Sequence, residues 1–240
     1  MPNPTAAMLV IGDEILSGRT RDANMHYLAG QLTEVGIDLK EVRVVSDEDK
    51  AIILAVQVMA ELYDHVFTSG GIGPTHDDIT ADCVAWAFGT GIDIREDARA
   101  ILEAHYEKTG VALNDARLRM ARIPDGAKLI DNPISAAPGF TIQNVHVMAG
   151  VPSVFEAMVA SVLPTLTGGQ PLLSRSVTIY RGEGDIAGPL GELARALPEL
   201  SFGSYPFQRD GRYGANVVVR GTDRSALDAA VTQLEHLFDG

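Results

Sequence analysis

The chain has 240 residues, 46% of them hydrophobic, and a formal net charge of −13. This length predicts one domain with a smaller partner domain. The acidic balance argues against nucleic acid as a partner. No apolar run approaches the roughly 18 residues that span a bilayer, and the N-terminus lacks a signal-peptide layout. We therefore expect a cytoplasmic protein with no membrane partner, and the single cysteine, Cys83, excludes an internal disulfide.

The first half of the chain alternates strands and helices. Short apolar or β-branched segments predict strands, and periodic apolar positions predict helices. The predicted strands cover 8–11, 37–45 and 65–68, and the predicted helices cover 22–35, 50–62 and 79–88. This order implies a three-layer α/β fold with a mostly parallel sheet. Right-handed crossovers put the strand-to-helix loops at one sheet edge, where such folds bind ligands.

The second half completes this domain and adds a small module. Helices are predicted at 97–108, 114–122 and 154–163, and short strands at 127–130, 140–142 and 145–148. The segment 164–171, with Gly168 and Gly169, is typical of a linker. Beyond it the order β-α-β-β-α predicts a small two-layer α+β module. We therefore predict domains at 1–167 and 171–240.

A glycine-rich loop, residues 68–78, follows the third predicted strand. Glycines at 70, 71 and 73 let backbone amides approach an anion, and the next helix points its positive N-terminus at the same place. The candidate phosphate-binding residues of this loop are Ser69, Gly70, Gly71, Gly73, Pro74 and Thr75. The alternative is a tight turn that needs glycines for its own geometry.

Two aspartates, Asp77 and Asp78, close this loop. A single acid there is usually a helix cap. Two beside a phosphate site would repel the ligand unless a cation lay between them, and Mg²⁺ binds through one or two carboxylates plus substrate phosphates. We expect one aspartate to cap the helix and the other to meet a metal or a ligand; a double cap without a ligand is the alternative.

The loop after the first strand adds polar residues at the same edge. Asp13 and Glu14 are candidate metal ligands, with helix capping as the alternative for Asp13. The candidate ligand-binding residues here are Ser17, Gly18, Arg19 and Asn24. Arg19 can bind a phosphate or be a solvated charge, and Asn24 can bind a ligand or tie the loops together.

Two later segments are expected to complete the rim of the pocket. Small or turn-forming residues there would let backbone approach a ligand, although each segment alone also fits a plain turn. The candidates are Ala137, Pro138, Gly150 and Pro152. Arg117, Arg119 and Arg122 are interpreted as a solvated helix face, with Arg119 able to reach a phosphate.

Together these motifs resemble the N-terminal domain of the CinA family (competence/damage-inducible protein A), within the MoaB/Mog molybdopterin-binding domains. The most diagnostic run is Gly-Gly-Ile-Gly-Pro-Thr-His-Asp-Asp-Ile-Thr at 70–80. The later module resembles the small middle domain of CinA-type proteins. The chain ends near residue 240, so the amidohydrolase domain of full-length CinA is expected to be absent. One departure is that the acid after the 150–153 stretch stands at Glu156 rather than at position 154.

The resemblance implies metal-dependent hydrolysis of a nucleotide diphosphate, as in ADP-ribose or FAD. The catalytic candidates are Asp78, Asp77 and Asp13, and the metal candidates are Asp78, Asp13 and Glu14. The implied cofactor is divalent Mg, Mn, Co or Ni, and the implied ligand is a small-molecule nucleotide or a pterin phosphate. A homo-oligomer is expected by family analogy. The alternatives are molybdopterin binding or adenylylation in cofactor synthesis, and a non-catalytic nucleotide sensor.

Overall fold

The structure, a computed structural model, describes residues 2–209 and 211–238, which form two compact units divided between Gly169 and Gln170. The strands of the first unit are β1 (Thr5–Ile11), β2 (Asp38–Val45), β3 (His65–Ser69), β4 (Ile92–Ile94), β5 (Arg122–Pro124), β6 (Lys128–Ile130), β7 (Gly139–Ile142) and β8 (Val145–Met148). Its helices are α1 (Asp13–Leu16), α2 (Asn24–Glu34), α3 (Asp49–Leu62), α4 (Thr80–Phe88), α5 (Glu96–Thr109), α6 (Asp115–Leu118) and α7 (Pro152–Val162).

A six-stranded sheet forms the centre of this unit, in the order β2-β1-β3-β8-β7-β6. The first four of these strands are parallel, and β7 runs antiparallel to both of its neighbours. The expected α/β fold with a mostly parallel sheet is confirmed. The order reverses beside β1, because the chain goes from β1 outward to β2 and then returns to β3. Such a reversal opens a crevice at the carboxyl ends of the strands.

Helices cover both faces of this sheet, and each face has its own hydrophobic core. One core joins residues such as Leu9 and Val66 to Val56 of α3 and Val84 of α4. The other joins sheet residues such as Phe67 to α2 and α7. Alternate residues of β1 enter opposite cores, as the period of two in a strand requires. The three-layer arrangement packs the strands from both sides and so determines where the loops that follow them begin.

The expected helix over 114–122 is wrong in its second half. Only α6 is α-helical; a 3-10 turn, Arg119–Ala121, follows it, and β5 then pairs with β4 in a two-stranded sheet. Pro124 lacks a backbone N–H, and a residue before proline favours extended backbone. The apolar spacing therefore indicated a helix that the proline ends early. None of the described helices has the length and apolar character to cross a membrane.

The second unit contains β9 (Leu173–Ile179), α8 (Glu183–Ala196), β10 (Ser201–Arg209), β11 (Arg212–Gly221) and α9 (Arg224–Phe238). Its antiparallel sheet has the order β10-β11-β9. Both helices share one hydrophobic core with the inward-facing residues of the strands. This core contains Ile186 of α8, Leu234 of α9, and Val217 and Val219 of β11. One face of the sheet is therefore covered by helices, and the opposite face carries the alternate side chains.

Candidate functional site

A cleft of about 550 Å³ lies at the carboxyl ends of the parallel strands. Its walls come from the loops after β1, β2, β3 and β8 and from the segment before β7. Ligand sites for small molecules typically have volumes of roughly 300–1,000 Å³. The cleft is therefore large enough for a nucleotide, and it lies at the edge that the sequence predicted.

The glycine turn after β3 forms one wall. Gly70 and Gly71 have φ values of +110° and +69°, which glycine adopts without strain. A Cβ at Gly70 would overlap the carbonyl oxygen of Ile11, and one at Gly71 would overlap Oγ1 of Thr80. Packing between the loops thus already requires glycine at both positions. The amide of Gly70 donates to the carbonyl of Met148 at 3.2 Å. It is therefore already hydrogen-bonded, whereas the sequence predicted a free donor to phosphate.

Asp78 is held in place by the turn and does not cap the helix. Its Oδ2 accepts hydrogen bonds from the amide of Thr75 at 2.8 Å and from the hydroxyl of Thr75 at 2.6 Å. The next helix, α4, begins at Thr80, and no side chain caps it. The expectation that one aspartate caps this helix is therefore wrong. The two hydrogen bonds from Thr75 hold the Asp78 carboxylate at the cleft, so this carboxylate does not cap α4.

Asn24 joins three loops from behind the cleft. Its Nδ2 donates to Oγ of Ser69 and to the carbonyl of Gly150, each at 2.8 Å. Asn24 and Ser69 are both buried. Of the two roles considered for Asn24, the structure therefore supports the one that ties the loops together. Ser69 accepts this hydrogen bond below the glycine turn, so its hydroxyl is not on the cleft wall.

Asp47, at the carboxyl end of β2, contributes a carboxylate to the cleft. Its Oδ2 accepts a hydrogen bond from the amide of Asp13 at 2.9 Å. Partial burial is the main cause that raises the pKa of Asp47, and the negative charges of Asp13, Glu14 and Asp77 raise it further, against the lowering effect of that hydrogen bond. These acids therefore share one local field, in which a bound cation would be stabilised.

Most of the predicted residues line the cleft. Those on its walls are Glu14, Arg19, Gly70, Gly71, Gly73, Asp77, Asp78, Ala137, Gly150 and Pro152. Pro138 instead lines a small adjoining cavity of about 20 Å³, together with Asp78 and Arg119. Those off the walls of the cleft are Asp13, Ser17, Gly18, Asn24, Ser69, Pro74 and Thr75. Asp13 is exposed, and its backbone amide rather than its carboxylate serves the site.

Sequence reasoning missed several residues of the wall. Asp47 was not among the candidates, although it follows β2 at the same sheet edge as the other acids, and this topology was the signal. Thr20, Met120, Asn132 and Ser135 also line the cleft, and nothing in their local spacing marks them.

Arg122 does not belong to a solvated helix face. It lies in β5, is only partly exposed and pairs with Asp82 of α4. Arg119 is exposed and lies beside Asp78 at the small adjoining cavity. The earlier interpretation of these arginines failed because the predicted helix does not continue to residue 122.

Residues 7–168 match the family model described as the probable molybdopterin binding domain, which covers more than half of the chain. The chain belongs to this family. Residues 171–240 match the model described as the FAD synthase middle domain. The predicted family relationship is therefore confirmed for the first unit, and the second unit has its own match.

Individual relatives agree with this assignment. The crystal structure of a protein CinA of unknown function from Thermoplasma acidophilum is 35% identical, with a TM-score of 0.63, over 69% of this chain and 99% of that one. A protein from Pyrobaculum arsenaticum is 36% identical over 84% of this chain and 79% of its own length. A probable FAD synthase from Caenorhabditis elegans is 30% identical over 98% of this chain and 50% of its own. The chain thus spans about half the length of that last relative.

The molybdopterin-binding-type domain offers carboxylate oxygens to a cation. Glu14, Asp47, Asp77 and Asp78 all line the one cleft. Among the residues that the structure describes, no three or more His, Cys, Asp or Glu side chains form a ready metal cage. Mg²⁺ needs only one or two carboxylates when substrate phosphates supply the other ligands. The donor set therefore fits a hard divalent cation that binds together with a phosphorylated ligand.

Proposed function

We propose that the first unit is a metal-dependent nucleotide pyrophosphatase that cleaves the diphosphate of a substrate such as ADP-ribose or FAD. The observation that carries this proposal is the cleft itself: four carboxylates and a glycine turn face one space of about 550 Å³ at the sheet edge. Cleavage of a diphosphate is helped by a cation and by backbone donors, and the carboxylates that could hold the cation line the same cleft as the glycine turn.

The glycine turn and Arg19 bind the phosphates in this proposal. The amides of Gly71 and Gly73 make no hydrogen bond within the described part of the chain, so they are available to phosphate oxygens. Arg19 lies on the cleft wall and is exposed, so it supplies a positive charge that a phosphate can reach. Asn24 keeps the three loops together, so that these donors are positioned before the substrate arrives.

Hydrolysis adds water to one phosphorus atom and breaks the bond to the bridging oxygen, which gives two monophosphates. A divalent ion held by Asp78, with Asp47 or Glu14, would neutralise the diphosphate and polarise the water. Asp77, exposed beside Asp78, accepts the proton that the water loses. The amides of Gly71 and Gly73 stabilise the charge that builds up on the phosphoryl oxygens.

The test is phosphatase-coupled turnover of ADP-ribose and FAD, with and without Mg²⁺, Mn²⁺, Co²⁺ or Ni²⁺. We expect turnover that needs one of these ions and falls by at least about 100-fold in Asp78→Ala. Asp115→Ala is the matched control, because Asp115 is an exposed acid of the same unit that does not line the cleft. Absence of turnover with every ion, or an unchanged rate in Asp78→Ala, would exclude the proposal.

A second candidate is molybdopterin binding, which is favoured by the description of the family model that matches residues 7–168. The same glycine turn would hold the phosphate of the pterin. This candidate predicts saturable binding of molybdopterin without hydrolysis of ADP-ribose or FAD. Titration of both ligands against the wild-type chain separates the two candidates.

A further inference from the structure

The three-stranded sheet of the second unit has one face turned away from α8 and α9. Its side chains alternate with the core residues Ala215, Val217 and Val219. We call this surface the open face. It comprises Ser201, Gly203, Tyr205, Phe207 and Arg209 of β10, Arg212, Gly214, Asn216, Val218 and Arg220 of β11, and Ser174, Ser176, Thr178 and Tyr180 at β9.

The charge of this sheet is opposite to that of the protein. The three strands carry Arg175, Arg209, Arg212 and Arg220 and no Asp or Glu, whereas the whole chain has a net charge of −13. Arg175 faces the helices, where it pairs with Asp228 of α9. The other three arginines lie on the open face, which is therefore a local basic surface suited to an anion.

Aromatic rings on this face lie over glycines. A Cβ at Gly214 would come within 2.6 Å of the Phe207 ring, and one at Gly203 within 3.2 Å of the Tyr205 ring. The rings therefore cover the backbone instead of standing away from it, which turns ring surface toward solvent. Tyr180 and Tyr205 are 52% and 48% exposed. These rings are thus accessible to a planar ligand.

The rings of Phe207 and Tyr180 are nearly perpendicular, and an arginine lies beside each ring; we call this pair of rings the Tyr180–Phe207 corner. Their ring centroids are 5.7 Å apart, with an interplanar angle of 88°. The guanidinium of Arg209 lies 5.1 Å from the Phe207 centroid, and that of Arg212 lies 4.8 Å from the Tyr180 centroid. Arg209 and Arg212 are directly opposite each other across the strand pair. Like charges so placed favour a bound anion, even though the sequence carries one acid, Asp210, next to Arg209.

We propose that the open face binds one nucleotide, with its base stacked at the Tyr180–Phe207 corner and its phosphate held by Arg209 and Arg212. Aromatic and guanidinium planes are common stacking surfaces for bases. A single corner offers one such position. The net charge of −13 opposes a long polyanion far more than it opposes one phosphate. These two observations favour a mononucleotide over a nucleic-acid strand.

The test uses flavin mononucleotide as the probe, because stacking on tyrosine quenches its fluorescence. Riboflavin, which lacks the phosphate, separates stacking from phosphate binding. We expect the wild-type chain to quench flavin mononucleotide, and the dissociation constant to rise about tenfold in the double variant Arg209→Gln/Arg212→Gln. The double variant should leave riboflavin binding nearly unchanged, and Tyr180→Leu should weaken the quenching of both ligands.

Arg195→Gln is the matched control, because it removes one arginine from α8 on the other side of the sheet, and circular dichroism confirms that each variant folds. Arg209 and Arg212 belong to the second unit and do not line the cleft of the first, so a change in affinity between the wild type and the double variant is independent of the pyrophosphatase proposal. Equal affinity in the wild type and the double variant would overturn the inference, as would absence of quenching at millimolar probe. Tighter binding of a ten-nucleotide oligo-dT than of the mononucleotide would also overturn it.

Discussion

Individual carboxylates of the cleft differ in how they are held. Asp78 is fixed by two hydrogen bonds from Thr75, so its orientation does not depend on a ligand. Asp47 accepts one amide hydrogen bond from Asp13, and its partial burial raises its pKa. Asp78 was recognisable from its position after the glycines. The contribution of Asp47 depends on a contact across 34 positions of sequence, which local patterns do not reveal.

The raised pKa of Asp47 gives a prediction with a defined sign. The folded-state pKa lies above the ordinary value of 3.8, so the stability contributed by this group is present below that value and is lost as the pH rises through the folded pKa. At neutral pH, Asp47→Asn should therefore raise the melting temperature, since Asn can still accept the Asp13 amide. It should also lower metal-dependent turnover by about 10–100-fold.

Thermal melts and turnover at neutral pH, with Asp115→Asn as the control, check both parts. A lower melting temperature in Asp47→Asn would contradict the assigned cause of the pKa shift. Unchanged turnover would remove Asp47 from the metal-binding part of the proposal while leaving Asp78 to be tested separately.

At the scale of elements, the sequence predicted the glycine turn, but the structure gives a different reason for its glycines. The glycines were interpreted as room for a ligand. In the structure, Gly70 and Gly71 are first required by contacts with Ile11 and Thr80. The turn and the helix after it could be predicted from glycine spacing and apolar periodicity. The contacts could not, because they come from other strands and from the helix that follows.

Replacement of Gly70 tests this packing argument. With φ at +110° and a Cβ that would overlap the Ile11 carbonyl, Gly70→Ala should lower the free energy of unfolding by about 3 kcal/mol or more. Gly30→Ala is the control, because Gly30 lies inside α2 and its Cβ would meet nothing within 4 Å. The control should raise stability by about 0.5–1 kcal/mol. Urea denaturation compares them, and equal stabilities would refute the packing argument.

At the scale of the whole molecule, a buried histidine, His146, with a partly buried neighbour, His65, makes the stability of the fold sensitive to acid. His146 of β8 and His65 of β3 lie with ring nitrogens 3.4 Å apart, and His146 also contacts the hydroxyl of Thr141 at 3.0 Å. Burial, with a smaller effect of the neighbouring His65, lowers the pKa of His146 to about 3. The imidazole is therefore neutral in the folded protein at ordinary pH.

The consequence is a loss of stability as the pH falls from the ordinary histidine value of 6.5 toward about 3, because the unfolded chain takes up a proton that the folded chain resists. The slope for one group approaches about 1.4 kcal/mol per pH unit. Urea unfolding at several pH values should show a smaller slope for His146→Gln than for the wild type. His26→Gln, at an exposed position of α2, is the control and should leave the slope unchanged; equal slopes for all three proteins would contradict this cause.

The sequence by itself determined the alternation of strands and helices, the mostly parallel sheet, the edge where the loops gather and the small module after residue 170. These features follow from hydrophobic periodicity and turn residues, which act over a few neighbouring positions. Only the tertiary structure decided which side chains face the cleft. Asp47 lines the cleft, whereas Asp13 contributes only its backbone amide. Asn24 hydrogen-bonds to the carbonyl of Gly150, which is 126 positions away in the sequence. The physical reason is that side-chain direction at a sheet edge depends on strand order and on contacts between distant segments.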